Sequence, residues 1–181
     1  MKIEGSDWIY LGLSAEELKE YILSEQIFWQ LSPGKERFTI GNYLLAEKKL
    51  SASVLIPDDR ARLEKQTAIY QEVHSSWKAN WNSKVKKEWL TRLNLWQQYL
   101  LDLRKDRENA VWSYPSEVRI RVILQILEDE IGSVDLAHKS NLNSLDRLLH
   151  SLSREGEFVW EKIYSKAFPD IKFWFLYRSF S

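Results

Sequence analysis

Between residues 85 and 103 the apolar side chains recur in steps of 4, 4, 3, 4 and 3, at Val85, Trp89, Leu93, Trp96, Leu100 and Leu103. An α-helix turns once in about 3.6 residues, so such steps line up on one of its faces. Leu90, Leu95, Tyr99 and Leu101 stand beside the row. The apolar face is therefore broader than the seam of a two-stranded coiled coil. Two indoles in the row add bulk that water tolerates poorly. The spacing predicts a helix in the middle of a bundle, with Trp89 and Trp96 buried and facing the same way.

The rest of the chain carries the same bias. Gly (6) and Pro (4) are scarce among 181 residues, while Leu, Glu, Lys, Gln and Arg recur throughout. That usage favours helix over strand and turn. The expected fold is all-α, an antiparallel, up-and-down bundle of about six to seven helices in a single domain, 1–181, with an aromatic C-terminal tail packed on it. Helices are expected at approximately 15–31, 37–51, 58–80, 84–107, 115–131, 141–153 and 156–167. Ser14 and Glu17 have the spacing of a capping box, with Leu13 and Leu18 placed as its hydrophobic staple. Ser32-Pro33-Gly34 ends the first helix. Gly41 marks a close helix crossing or a helix that starts after it. Pro57-Asp58-Asp59 opens the third, and Asn80, Asn82 and Ser83 suggest a kink. Pro115 fits a first helical turn.

Composition excludes some chemistry. With no Cys, the chain has no thiolate metal ligands, thiol nucleophile or disulfide, which fits a reducing compartment and makes cytoplasmic the default location. Glu4 and Asp7 sit where a signal peptide would be basic and then apolar. The most apolar stretch, 171–176, contains Lys172 and is far shorter than the ~20 residues a membrane span needs. The formal net charge is zero, although residues 60–107 hold 11 Lys/Arg against 5 Asp/Glu. No global field would draw in nucleic acid or an anionic membrane.

Catalytic motifs are absent: no glycine-rich phosphate loop, no H-E-x-x-H, no G-x-S-x-G and no Glu-x-x-His. His74, His138 and His150 do not have the three- or four-residue spacing that puts two metal ligands on one helical face. No metal or cofactor is expected. Glu128, Asp129 and Glu130 point about 100° apart on a helix and read, with Glu117, Arg121 and Gln125, as a solvated face. His150, one turn after Asp146, reads as half of a surface pair.

The candidate site residues are His74, Trp77, Trp81, Arg92 and Arg119. His74 flanks the stripe of Tyr70, Trp77 and Trp81 and reads either as a half-exposed histidine packing on Trp77 or Lys78 or as part of a small-molecule pocket lined by Tyr70, Trp77, Trp81 or Trp96 and closed by His74 or Arg92. Arg119 borders the apolar face of its helix, where a guanidinium needs a partner; Asp102 or Asp106 could supply one, and an anion site is the other reading. Lys78, Lys84, Lys86, Lys87 and Arg92 interleave with Trp77, Trp81 and Trp89, as in grooves for single-stranded nucleic acid. The neutral total charge and the seam position of Trp89 count against that partner. The leading expectation is a non-catalytic interaction or structural protein. Its surplus aromatics, chiefly in the tail at 173–180, would form a surface for a homodimer or protein partner. A small-molecule-binding bundle is the alternative, and an enzyme or nucleic-acid binder without a motif comes third.

Overall fold

The computed structural model describes residues 5–31, 34 and 36–180, the side chains of Gly5 and Ser6 excepted. A short helix, α1 (Gly5–Ile9), comes first. Ser14 then caps the next: its hydroxyl accepts the Glu17 N–H at 3.2 Å, and the Glu17 carboxylate accepts the Ser14 N–H at 2.9 Å. Both otherwise orphaned donors are satisfied by this exchange.

The helix so begun, α2 (Ala15–Leu23), is eight residues shorter than the predicted 15–31. Local bonds end it before the expected terminator, whose Ser32 and Pro33 lie outside the described residues. Ser24 donates its N–H to Glu20 and Tyr21 carbonyls, and the Tyr21 hydroxyl donates to the Ile27 carbonyl at 3.0 Å, folding the chain back. A two-residue pairing missed by the sequence reading follows: β1 (Trp29–Gln30) lies antiparallel to β2 (Arg37–Phe38), with Trp29 opposite Phe38.

That pairing occupies residues expected to be helical, so α3 (Ile40–Ala52) starts after it. Thr39 caps it, accepting the Asn42 N–H at 3.0 Å. Gly41 lies in its first turn, where backbone N–H groups have no partner within the helix. Its N–H donates to the buried Glu88 carboxylate at 3.0 Å. Next come α4 (Pro57–Ser76), with proline in its first turn, and α5 (Lys78–Lys105). The break falls at Trp77 (φ −125°, ψ 35°), not at 80–83. Asn80, Asn82 and Ser83 are carried within α5 because the burial of its apolar face outweighs their weak helix propensity.

Helix α6 (Arg107–Ile131) begins eight residues earlier than predicted and holds Pro115 in its interior. Asp106 supplies the cap, accepting from the Asn109 N–H and side-chain amide. Gly132 ends it in the left-handed region (φ 77°), which glycine enters without a Cβ clash. Helix α7 (Leu136–Leu152) is capped by Asp135, which accepts the Ala137 N–H at 2.9 Å.

The helix predicted at 156–167 is the largest correction. Only a 3₁₀ helix, Lys162–Ala167, forms within it. Residues 154–159 instead pair with the chain end. There, β3 (Arg154–Glu155) is antiparallel to β4 (Arg178–Ser179), and the Val159 N–H donates to the Leu176 carbonyl. Gly156 permits the approach: a Cβ there would sit 2.8 Å from the Ser179 Cβ. Between them lie α8 (Asp170–Phe173) and a 3₁₀ turn, Trp174–Leu176.

The chain is thus an all-α helical bundle with an aromatic cluster near its C-terminal end; its described strands are four two-residue segments in two antiparallel pairings. Its contacts divide it into two units, Met1–Glu88 and Trp89–Ser181, the division falling within α5. In the first unit Tyr43 stacks on Tyr70 at 3.6 Å, and the Tyr70 hydroxyl donates to the Tyr10 carbonyl. In the second the tail is packed as predicted, with Phe173, Phe175 and Leu176 buried. The buried Tyr114 hydroxyl donates to the Phe175 carbonyl at 2.6 Å. All six seam residues of α5 are buried, Trp89 at 1% and Trp96 at 0% exposure.

Candidate functional site

The helical spacing of Tyr70, His74, Trp77 and Trp81 brings two of these residues into contact. His74 lies against Trp81, ring centroids 4.9 Å apart and planes 39° from each other. Trp81 itself is 2% exposed, a core residue and not the wall of an open pocket. The break at Trp77 leaves that ring half-buried, with the Lys19 ammonium 5.4 Å from its centroid. The Tyr70 phenol is held protonated by its burial, well above the usual tyrosine range.

Arg92 and Arg119 belong to the second unit. Arg92 is buried and Arg119 half-buried. Asp102 accepts from Gln98, and Asp106 is spent on the α6 cap. The deeply placed guanidinium of α6 is Arg121, read from sequence as solvated. It forks onto Asp146 through Nε and Nη2, each at 2.9 Å, and lies 4.4 Å from the Phe175 ring centroid. Asp146 is therefore not the partner of His150. That imidazole stacks on Trp174 at 3.9 Å. Glu128 and Asp129 diverge, as expected: Glu128 pairs with Lys139, and Asp129 with Lys172.

The interleaved rings and lysines do not form a stacking groove. Trp81 and Trp89 are buried, and Lys84 is 4% exposed. Its ammonium donates to the Ser24 and Gln26 carbonyls at 2.7 and 2.6 Å and lies over the Tyr21 ring. Burial lowers its pKa to about 8. Lys87 is paired with Glu25 at 2.8 Å. Of the tail rings Phe173 and Phe175 are buried and Trp174, Tyr177 and Phe180 half-buried, while the strongly exposed indole is Trp112, 88% exposed on α6.

A concave site does exist in the first unit, built from residues outside the five candidates. Trp8 and Ile9 of α1, Glu17 of α2, Trp29 and Gln30 of β1, and Arg62 of α4 line a cleft of about 570 Å³. Leu13 and Leu31, both buried, contribute its apolar floor. Two contacts fix its walls. The Arg62 guanidinium carbon lies 4.5 Å from the Trp8 ring centroid, and Trp29 meets Tyr21 edge to face at 6.1 Å. Trp8 and Trp29 are half-buried, so each ring is held by the fold yet reaches the cleft. No family model, curated protein or solved structure matches this chain.

Among the described residues, no group of three or more His, Asp or Glu side chains could hold a metal ion. None of the helices there is long and apolar enough to cross a membrane. The cleft was hidden from sequence because its walls come from four separated segments. The available signal was weak: Trp8 and Trp29 are tryptophans outside any long apolar stripe.

Proposed function

We propose that this chain is a non-catalytic binding protein whose ligand is a small, flat organic molecule held in the Trp8–Trp29 cleft. One observation carries the reading: two indoles from separate elements line one concave surface of about 570 Å³. That volume falls within the range of roughly 300–1,000 Å³ usual for small-ligand sites, where aromatic walls meet a few polar groups. Rings held by their neighbours give up little entropy when a ligand stacks on them. The expected pocket at Trp77 and Trp81 is replaced in this reading by one about Trp8 and Trp29.

A screen of planar fragments by saturation-transfer NMR tests it. Aromatic fragments should receive saturation from the native chain and lose it in Trp29→Ala, with circular dichroism verifying that the variant remains helical. Equal transfer to the folded variant would contradict the assignment.

A further inference from the structure

The charges around this cleft narrow the ligand class, on the reading that the cleft is a binding site. Its lining holds two charged side chains, Glu17 and Arg62. Glu17 is already engaged: one carboxylate oxygen accepts the Ser14 N–H at 2.9 Å, at the positive end of α2. Arg62 is differently placed. It is exposed, it is steadied over the Trp8 ring at 4.5 Å, and among the described residues it has no carboxylate or carbonyl partner. A guanidinium packed on an aromatic face keeps its N–H groups at its edge, in the planar fork that matches a carboxylate.

We infer that the cleft takes a free aromatic carboxylate, its ring packed against the indole walls and its anionic group on the edge of Arg62. The cation supplies what indoles alone cannot, a preference among ligands of the same shape. A ring-sized molecule with one acidic group uses both features at once. A neutral ring uses only the walls, and a cationic ring would bring its charge toward that of Arg62.

Calorimetric titration of the full chain with three probes of one shape tests this: 2-naphthoate, 2-naphthalenemethanol and 2-naphthylmethylammonium. The naphthoate should bind at one site about tenfold more tightly than the alcohol, the alcohol being favoured over the ammonium. Arg62→Gln should bring the affinity for the acid down to that for the alcohol, and Arg62→Lys, which keeps the charge, should restore part of the gap. Equal binding of acid and alcohol by the native chain, or a gap that survives Arg62→Gln, would overturn the anionic assignment and leave the cleft as a binding site. Absence of heat with all three would overturn both.

Discussion

Arg121 holds Asp146 through two bonds of equal length, 2.9 Å from Nε to Oδ1 and 2.9 Å from Nη2 to Oδ2. The fork joins α6 to α7 in the second unit, and the Arg121 side chain is only 4% exposed. Removing one member of such a pair strands the other in a poorly solvated place, at a cost of about 3 kcal/mol or more. Arg121→Leu should therefore destabilise the chain by about that much in urea unfolding. The double variant Arg121→Leu/Asp146→Leu should recover most of the loss, because no unpaired charge remains. A double variant whose loss equals the sum of the two single losses would show that the pair is not coupled.

Three tyrosines should report the two cores in alkali. Desolvation raises the phenols of Tyr70, Tyr99 and Tyr114, that of Tyr99 to about 12. Above pH ~10 the unfolded chain releases these protons and the folded chain keeps them, so stability falls as pH rises through and beyond that point. Absorbance at 295 nm should show these phenols ionising together with the loss of helical dichroism. Titration of all eight tyrosines near pH ~10 with the helices intact would contradict their burial.

Lys84 fastens α5 to the chain just after α2 through the Ser24 and Gln26 carbonyls. Lys84→Met should destabilise the chain by about 1 kcal/mol at neutral pH, the scale of a lost hydrogen bond to a partly solvated carbonyl. The sign of the pH dependence follows from its pKa, lowered to about 8 from 10.5. Between those values the unfolded chain binds the additional proton, so this residue's contribution to stability rises with pH. The difference between native and Lys84→Met should widen from pH 8 to 10 in denaturant titrations. A gap that narrows over that window would reject the account.

The α5 seam was legible because a single helical face is buried along its whole length, and period alone reveals such a face. Helix α6 shows why period then fails. Arg121, Val122, Ile123 and Leu124 are all buried, and four consecutive helical residues point most of the way around the axis. A one-sided reading assigns Arg121 to solvent because Glu117 and Gln125 share its stripe. The β1–β2 and β3–β4 pairings escaped for a different reason: two residues are too few to display an alternating pattern. In the tail, Phe158, Ile163 and Ala167 keep a rough helical spacing, but Gly156 and the pairing with residues 176–179 decide the backbone instead. Of the candidate site, His74 lies against the buried Trp81, one turn beyond Trp77, where the break between α4 and α5 carries the ring. The cleft depends on the tertiary approach of α1, α2, β1 and α4, which no local pattern encodes.

The most direct test of the cleft follows the nine indole N–H signals in an assigned ¹H–¹⁵N spectrum during titration with 2-naphthoate. Trp8 and Trp29 should shift together, saturably and with one dissociation constant. Trp89 and Trp96, whose indole nitrogens are buried without a hydrogen-bond partner among the described residues, should stay in place. Shifts centred on Trp112 or Trp77, or no saturable shift at Trp8 and Trp29, would contradict the account.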